Sequence, residues 1–164
     1  MSHLDFTLSK IHDLNSFQSI RHVWRFEEKK VVFTNGCFDI LHTGHLTYLA
    51  KARDLGHKLV VGLNSDASVT RLKGPSRPIN TLHDRAMQLA GLSFVDAVIP
   101  FEADTPIDLI KSVVPDVLVK GGDYALTEIV GNEFVLEQGG KVTTIDLVPG
   151  KSTTATIERL NNHG

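Results

Sequence analysis

The chain has 164 residues, 41% hydrophobic and 22% charged, with a formal net charge of −2 at pH 7. This length suits one domain, predicted over residues 1–164, in which folding buries roughly 70% of the unfolded surface. The near-neutral charge excludes a broad nucleic-acid footprint, and the single cysteine excludes an intrachain disulfide framework.

Residues 1–29 are predicted to form a peripheral helical segment. They lack the continuous apolar core of a signal peptide, and no run in the chain approaches the roughly 20 apolar residues of a membrane-spanning helix. We therefore expect a cytoplasmic protein without a membrane partner. Phe17, Ile20 and Trp24 share one helical face, which would either contact another copy in a homo-oligomer or pack on a sheet.

Residues 30–160 are predicted to form the catalytic core, in which strands alternate with helices. The predicted strands cover residues 30–36, 58–63, 96–100, 116–120 and 141–147. The predicted helices between and after them cover residues 46–56, 66–72, 81–92, 105–114, 126–138 and 152–160. The strands are mostly continuous apolar runs, which is typical of parallel strands covered on both faces. The pattern predicts an α/β fold with a doubly wound, mostly parallel five-stranded sheet.

Residues at the helix ends support these boundaries. Gly56 is predicted to close the first helix of the core, and Gly139-Gly140 the fifth. Thr105 is predicted to cap the fourth helix, with Pro106 as its first residue. In such sheets ligands bind at the carboxyl ends of the strands, so the loop after the first strand is the first candidate site.

This loop, NGCFDILHTGHLTYL over residues 35–49, holds His42 and His45 at the start of a helix. A helix N-terminus has unpaired N–H groups and a partial positive charge, so it binds anions. Gly36 and Gly44 allow close approach of the backbone to a ligand. Two imidazoles at i and i+3 would add donors to the cradle, which favours a phosphate group.

Two other interpretations of the histidine pair stay open. A metal site would need Asp39 and a distant further ligand, and histidines four residues apart are more usual on one helical face. Alternatively, the pair would simply start a surface helix. The GxGxxG fingerprint is absent because Gly44 is the first glycine after Gly36, which disfavours a nicotinamide dehydrogenase.

Three later loops are further candidates. PGKSTT, residues 149–154, lacks the earlier glycine of a P-loop. Its hydroxyl groups lie at a predicted helix start, where they would bind a second group of phosphates or simply cap the helix. Lys73 and Arg77, in the loop of residues 64–80, would bind phosphate or be solvated charges. KGGDY, residues 120–124, would allow a ligand near its glycines or be a simple turn.

Together these motifs resemble the cytidylyltransferase-like nucleotidyltransferase superfamily. The first signature is GCFDILHTGH, residues 36–45, and the second is STTATI, residues 152–157. Within the superfamily the chain resembles the D-glycero-β-D-manno-heptose 1-phosphate adenylyltransferases, through VFTNGCFDILHTGH, LKGPSRPIN, KGGDY and the late GG and STT pattern. That family is fused to a sugar kinase or stands alone, and we expect the stand-alone form.

The resemblance implies direct in-line transfer of AMP from ATP to heptose 1-phosphate, for the lipopolysaccharide inner core. It implies Mg²⁺ carried by ATP, with no metal site on the protein, and catalytic roles for His42, His45 and Lys73. The implied nucleotide-binding residues are Gly36, Cys37, Phe38, His42, Gly44, His45, Gly121, Asp123, Ser152, Thr153 and Thr154. The implied substrate-binding residues are Asp39, Lys73, Arg77 and Arg85. Cys37 is expected to be small and buried, without a redox role.

Three rival functions remain open. One is a related transferase, using CTP with glycerol phosphate or ATP with a flavin or pantetheine phosphate. The glycerol-phosphate enzymes carry an arginine before the late glycine and STT run, whereas the stretch here is LVPGKSTT, with Lys151 between the glycine and the serine, which disfavours CTP. The others are a nucleotide-binding regulatory protein without turnover and a metal-dependent hydrolase.

Overall fold

The computed structural model describes residues 1–162, which fold around one five-stranded sheet. The strands are β1 (Val31–Gly36), β2 (Lys58–Asn64), β3 (Ala97–Phe101), β4 (Val117–Gly121) and β5 (Lys141–Ile145). Their order across the sheet is β3-β2-β1-β4-β5, and every neighbouring pair is parallel. This confirms the predicted doubly wound α/β fold and all five strands.

Eight α-helices and one short 3₁₀ helix are present in the described residues. The α-helices are α1 (His3–Leu8), α2 (Leu14–Phe26), α3 (Thr43–Arg53), α4 (Asp66–Lys73), α5 (Leu82–Ala90), α6 (Ile107–Val113), α7 (Asn132–Glu137) and α8 (Thr153–Asn162). The 3₁₀ helix covers Leu126–Glu128. None of these helices has both the length and the apolar character needed to cross a bilayer.

The sheet separates two apolar cores because successive residues of a strand point to opposite faces. Val32 belongs to the core formed with α3 and α5, whereas Phe33 belongs to the core formed with α2, α6 and α7. Both residues are fully buried. Covering on both faces explains why the strands are continuous apolar runs.

The apolar face of α2 packs on the sheet. Phe17 and Trp24 are buried in the second core, and Ile20 packs against it. Arg21, also buried, donates hydrogen bonds to the carbonyls of Val113 (2.9 Å) and Val114 (2.8 Å) at the end of α6. These contacts attach α2 to α6. The apolar face of α2 therefore packs on the sheet, which is one of the two alternatives that the sequence left open.

Three local predictions are wrong. The single helix over residues 126–138 is interrupted by Gly131, which has a φ of 88° and would place a Cβ 2.8 Å from Ile110 Cδ1. Pro106 is the N-cap of α6 rather than its first residue, and no side chain caps this helix. Helix α3 ends at Arg53, before Gly56. A Cβ at Gly56 would lie 2.8 Å from the Lys30 carbonyl, so this glycine allows close approach to the chain entering β1.

The chain changes direction across the sheet at β1. From β1 it continues to β2 on one side, and β4 lies on the other side. Crevices of this kind, at the carboxyl ends of strands flanking a change of direction, bind ligands in open α/β sheets. The loop after β1 and the loop after β4 therefore border the expected site.

Candidate active site

A cavity of about 600 Å³ lies at the carboxyl ends of β1 and β4. It brings together the loop after β1, the end of α4, the end of β4 and the start of α8. Eleven of the site residues predicted from the sequence line it: Gly36, Cys37, Phe38, His42, Gly44, His45, Lys73, Arg77, Ser152, Thr153 and Thr154. Segments more than 100 positions apart in the sequence thus form one site.

Two glycines give the cavity its shape. A Cβ at Gly36 would lie 2.9 Å from the ring of Phe38, which is buried and has a φ of 44°. A Cβ at Gly44 would lie 2.9 Å from the ring of His42 and 3.0 Å from Lys151 Cβ. Gly44 therefore lets the first turn of α3 approach both the imidazole and the loop before α8.

The two histidines stack on each other at the start of α3. Their ring centroids are 3.8 Å apart and the rings are inclined by 21°. His42 is the N-cap, and its Nδ1 accepts the backbone N–H of His45 at 3.4 Å. In a neutral ring this places the proton on Nε2, which makes His42 a hydrogen-bond donor to a ligand. Capping and ligand binding are thus compatible in one side chain.

Both imidazoles are held in the neutral form at pH 7. Burial, with a smaller effect of Lys151, lowers the pKa of His42. Burial and the neighbouring His42 lower the pKa of His45 to about 4, against a weaker opposite effect of the Ile40 carbonyl. His45 Nδ1 is buried without a hydrogen-bond partner among residues 1–162. The pair therefore offers neutral donors rather than fixed positive charge.

The start of α8 forms the opposite wall. Ser152 Oγ accepts the N–H of Ala155 at 3.0 Å, which caps the helix. Thr153 Oγ1 donates to the Ile40 carbonyl at 3.4 Å and ties α8 to the loop before α3. Two helix N-termini, those of α3 and α8, therefore border the same cavity. Their unpaired N–H groups favour an extended polyanion between them.

Asp39 holds the loop of residues 77–80 rather than facing the cavity. Its carboxylate accepts the N–H groups of Ile79 and Asn80, both at 2.9 Å, and pairs with Arg77 Nε at 2.5 Å. Burial alone would raise the pKa of Asp39, but these N–H groups and Arg77 hold it below its usual range. The carboxylate is 1% exposed. Asp39 is therefore placed to fix the position of Arg77.

Arg85 also has a structural role and lies outside the cavity lining. Its fully buried guanidinium donates to the carbonyls of Asn80 (3.0 Å), Cys37 (2.8 Å) and Asn64 (2.8 Å) and to Asp66 Oδ1 (2.7 Å). These acceptors come from the loops after β1 and β2. Arg85 thus joins the loops that carry the site, without reaching the cavity itself.

Two lysines that the sequence analysis did not place in the site line the cavity, Lys120 at the end of β4 and Lys151 before α8. Neither these lysines nor Lys73 takes part in the six ion pairs of the described residues. Burial lowers the pKa of Lys120, the Cys37 thiol acts in the opposite direction, and Lys73 lowers it further. Ammonium groups that form no ion pair with a carboxylate of the described residues are suited to an anionic ligand.

Cys37 lies among these cations at the cavity wall. Burial raises the pKa of its thiol, although Lys73, Arg85 and Arg77 act in the opposite direction. A protonated thiol is a weak nucleophile.

Gly121 and Asp123 do not line the cavity. A Cβ at Gly121 would lie 2.8 Å from Leu147 Cδ2, so this glycine makes room for a residue that does line it. Asp123 is exposed in the following loop. Within residues 1–162, no three His, Cys, Asp or Glu residues gather as a metal-ligand cluster, so His42 and His45 have no third protein ligand there.

Comparison with known proteins agrees with this geometry. The model of the cytidylyltransferase-like family matches residues 33–158. The bifunctional protein HldE of Campylobacter concisus is 57% identical over 152 residues, which are 92% of this chain and 31% of that protein. HldE of Helicobacter hepaticus is 60% identical over 134 residues, 82% of this chain and 27% of that one. The chain thus spans about a third of the length of these curated relatives.

Two solved structures share the fold. The lipopolysaccharide core biosynthesis protein of Thermoplasma volcanium matches with a TM-score of 0.60 and 28% identity, covering 73% of this chain and 97% of that one. The pantoate-beta-alanine ligase of Francisella tularensis, complexed with beta-gamma ATP and beta-alanine, matches with a TM-score of 0.57 and 17% identity. That match covers 93% of this chain and 76% of the ligase, and it concerns the fold alone.

Proposed function

Because the chain belongs to the cytidylyltransferase-like family and is an enzyme of the nucleotidyltransferase type, we propose that it transfers AMP from ATP to D-glycero-β-D-manno-heptose 1-phosphate. The products are ADP-heptose and pyrophosphate, made in the cytoplasm for the lipopolysaccharide inner core. The identity to HldE proteins and the similarity to a lipopolysaccharide core biosynthesis protein support this acceptor.

One observation carries the proposal: a single cavity holds two neutral imidazole donors beside Lys151 and a separate group of cations around Cys37. On one side, His42 and His45 stack at the N-terminus of α3, and the start of α8 lies beside them. We assign the triphosphate of ATP to this side, with Ser152, Thr153 and Thr154 at the β- and γ-phosphates. Backbone donors and two imidazoles can contact several phosphate oxygens at once.

On the other side, Lys73, Arg77 and Lys120 would hold the phosphate of the sugar. Arg77 is fixed by Asp39, so its guanidinium is preorganised. Lys120 reaches the cavity from β4 and Lys73 from α4, so the two ammonium groups approach from different directions. Such a clamp lowers the repulsion between two anions that must come together, which is the main electrostatic obstacle to this reaction.

In the proposed reaction a phosphate oxygen of the sugar 1-phosphate attacks the α-phosphorus of ATP. The new P–O bond forms as the bond to the bridging oxygen breaks, and that electron pair leaves with pyrophosphate. The proton on His42 Nε2, together with an imidazole N–H of His45, would stabilise negative charge growing on the phosphoryl oxygens. Neither ring needs to change protonation state, since both are neutral at pH 7.

Mg²⁺ is proposed to arrive with ATP. Asp39 does not face the cavity and is engaged by Arg77 and two N–H groups, and Asp104, the one carboxylate that lines the cavity among residues 1–162, pairs with Arg71. The chain therefore fits an ion held largely by phosphate oxygens and water, with Asp104 as the residue able to contact it. When bound, the ion would neutralise charge on the phosphates.

A pyrophosphate-release screen tests the proposal. ATP and CTP are each combined with heptose 1-phosphate, glycerol 3-phosphate, riboflavin 5′-phosphate (FMN) and phosphopantetheine. The expected result is turnover with ATP and heptose 1-phosphate that exceeds every other pair in kcat/KM. Preference for CTP with glycerol 3-phosphate would replace this function by the related transferase. ATP binding in calorimetry without pyrophosphate from any acceptor would favour a regulatory protein.

A further inference from the structure

A side pocket of about 100 Å³ opens beside the main cavity, on the side of the 3₁₀ helix. The two share four lining residues, Asn35, Pro106, Lys120 and Val130. Beyond them the side pocket reaches Tyr124 and Glu128, which the main cavity does not. A ligand whose phosphate contacts Lys120 can therefore extend into this pocket.

The chemistry of the side pocket suits a hydroxylated carbon chain. Its floor is apolar, formed by Leu118, Val119 and Ile129, all buried. Three polar residues line the pocket as well: Asn35, Tyr124, which is half exposed, and Glu128. No ion pair in the described part of the chain involves Glu128. Carboxylate and amide oxygens accept hydrogen bonds from hydroxyl groups, while an aromatic face packs against C–H groups.

The volume limits what can enter. Since a water molecule occupies about 30 Å³ in the liquid, the side pocket holds about three water-sized groups. A sugar ring or a purine is larger than this. A two-carbon diol, a CH–OH followed by a CH₂–OH, matches both the size of the pocket and its mixture of apolar and polar residues.

We propose that Asn35, Tyr124 and Glu128 form a specificity site for the exocyclic diol of the sugar acceptor. The inference rests on the proposed function, which assigns the acceptor phosphate to Lys73, Arg77 and Lys120. In heptose 1-phosphate the diol consists of C6 and C7. β-D-Mannose 1-phosphate has the same ring and phosphate but a single CH₂OH at this point, so it lacks one of the two hydroxyls.

The test compares these two acceptors, with ATP, in the wild type and in Glu128→Ala and Glu128→Gln. The wild type is expected to prefer the heptose in kcat/KM. Glu128→Ala should reduce kcat/KM for the heptose by about 10-fold to 100-fold, the effect of losing a hydrogen bond to a charged group, with little change for the hexose. Glu128→Gln, which keeps an acceptor oxygen, should lie between. KM for ATP should not change.

Glu133→Gln is the matched control, because Glu133 is an exposed carboxylate on α7 that lines neither the main cavity nor the side pocket. Equal losses for both acceptors in Glu128→Ala, or an unchanged preference, would overturn the specificity site while leaving adenylyl transfer intact. A change confined to KM for ATP would assign the pocket to the nucleotide and also overturn it. No turnover by the wild type with either sugar would remove the proposed function and this inference with it.

Discussion

Removing the His45 imidazole should slow catalysis without unfolding the protein. Loss of one preorganised donor to a developing negative charge costs about 2.7 to 4 kcal/mol, or roughly 10² to 10³ in kcat. His45→Ala is therefore expected to lose that factor in kcat. KM for the sugar phosphate should change little, because Lys73, Arg77 and Lys120 remain.

The effect of His45→Ala on stability contains two opposing contributions. The stack with His42, with centroids 3.8 Å apart, contributes about 0.5 to 1.5 kcal/mol. Against this, the variant removes the buried Nδ1 that has no partner among residues 1–162, and such a group costs about 1 to 3 kcal/mol. The second contribution equals or exceeds the first over most of these ranges, so His45→Ala should lower the free energy of unfolding by no more than about 0.5 kcal/mol.

Steady-state pyrophosphate release and urea unfolding, measured on the same preparations, separate these effects. His22→Ala is the control, because His22 is an exposed histidine on α2 outside the cavity lining. An unchanged kcat in His45→Ala would refute the assigned role. A loss of stability large enough to explain the lost activity would contradict the expected change in the free energy of unfolding.

Three further predictions concern the same site. The pKa of His45 is about 4 in the folded protein, below its usual value of 6.5, so the stability of the fold decreases as the pH falls from 6.5 toward 4. Wild type should lose stability relative to His45→Ala by on the order of 1 kcal/mol in urea unfolding at pH 5, after allowance for solvent screening; an equal pH dependence would contradict this. Arg85→Ala should lower the free energy of unfolding by about 3 kcal/mol or more, because it leaves buried carbonyls unpaired, whereas Arg71→Ala, at an exposed ion pair, should cost about 1 kcal/mol or less. Lys73→Ala should raise KM for the sugar phosphate and not for ATP in initial-rate kinetics, with exposed Lys51→Ala as control; a change in KM for ATP alone would place Lys73 on the nucleotide side.

Local sequence patterns predicted the strands because burial on both faces leaves a continuous apolar run. They failed over residues 126–138, where apolar spacing is helical but Gly131 takes a left-handed conformation against Ile110. The contact between these residues is set by tertiary packing, which local periodicity does not contain. The same reason explains Pro106, whose position as N-cap depends on how α6 meets the sheet.

In the candidate site, too, local motifs predicted some residues and tertiary contacts decided the others. His42, His45 and the glycines beside them were predictable because a short motif fixes a helix N-terminus and its side chains together. Asp39 and Arg85 were placed in the site by resemblance, but their partners lie up to 48 positions away, and only the structure shows how completely those partners use their polar atoms. Lys120 was not predicted as a site residue although KGGDY was a candidate loop, because a lysine at the end of a strand is usually solvated.

The central claim is transfer of AMP to a sugar 1-phosphate, and the products test it most directly. ATP and D-glycero-β-D-manno-heptose 1-phosphate are incubated with the protein and Mg²⁺, and ADP-heptose and pyrophosphate are quantified together by mass spectrometry and a coupled assay. We expect equal amounts of the two products, and neither product when the sugar phosphate is omitted. Pyrophosphate formed without ADP-heptose would instead show hydrolysis of ATP and contradict the claim.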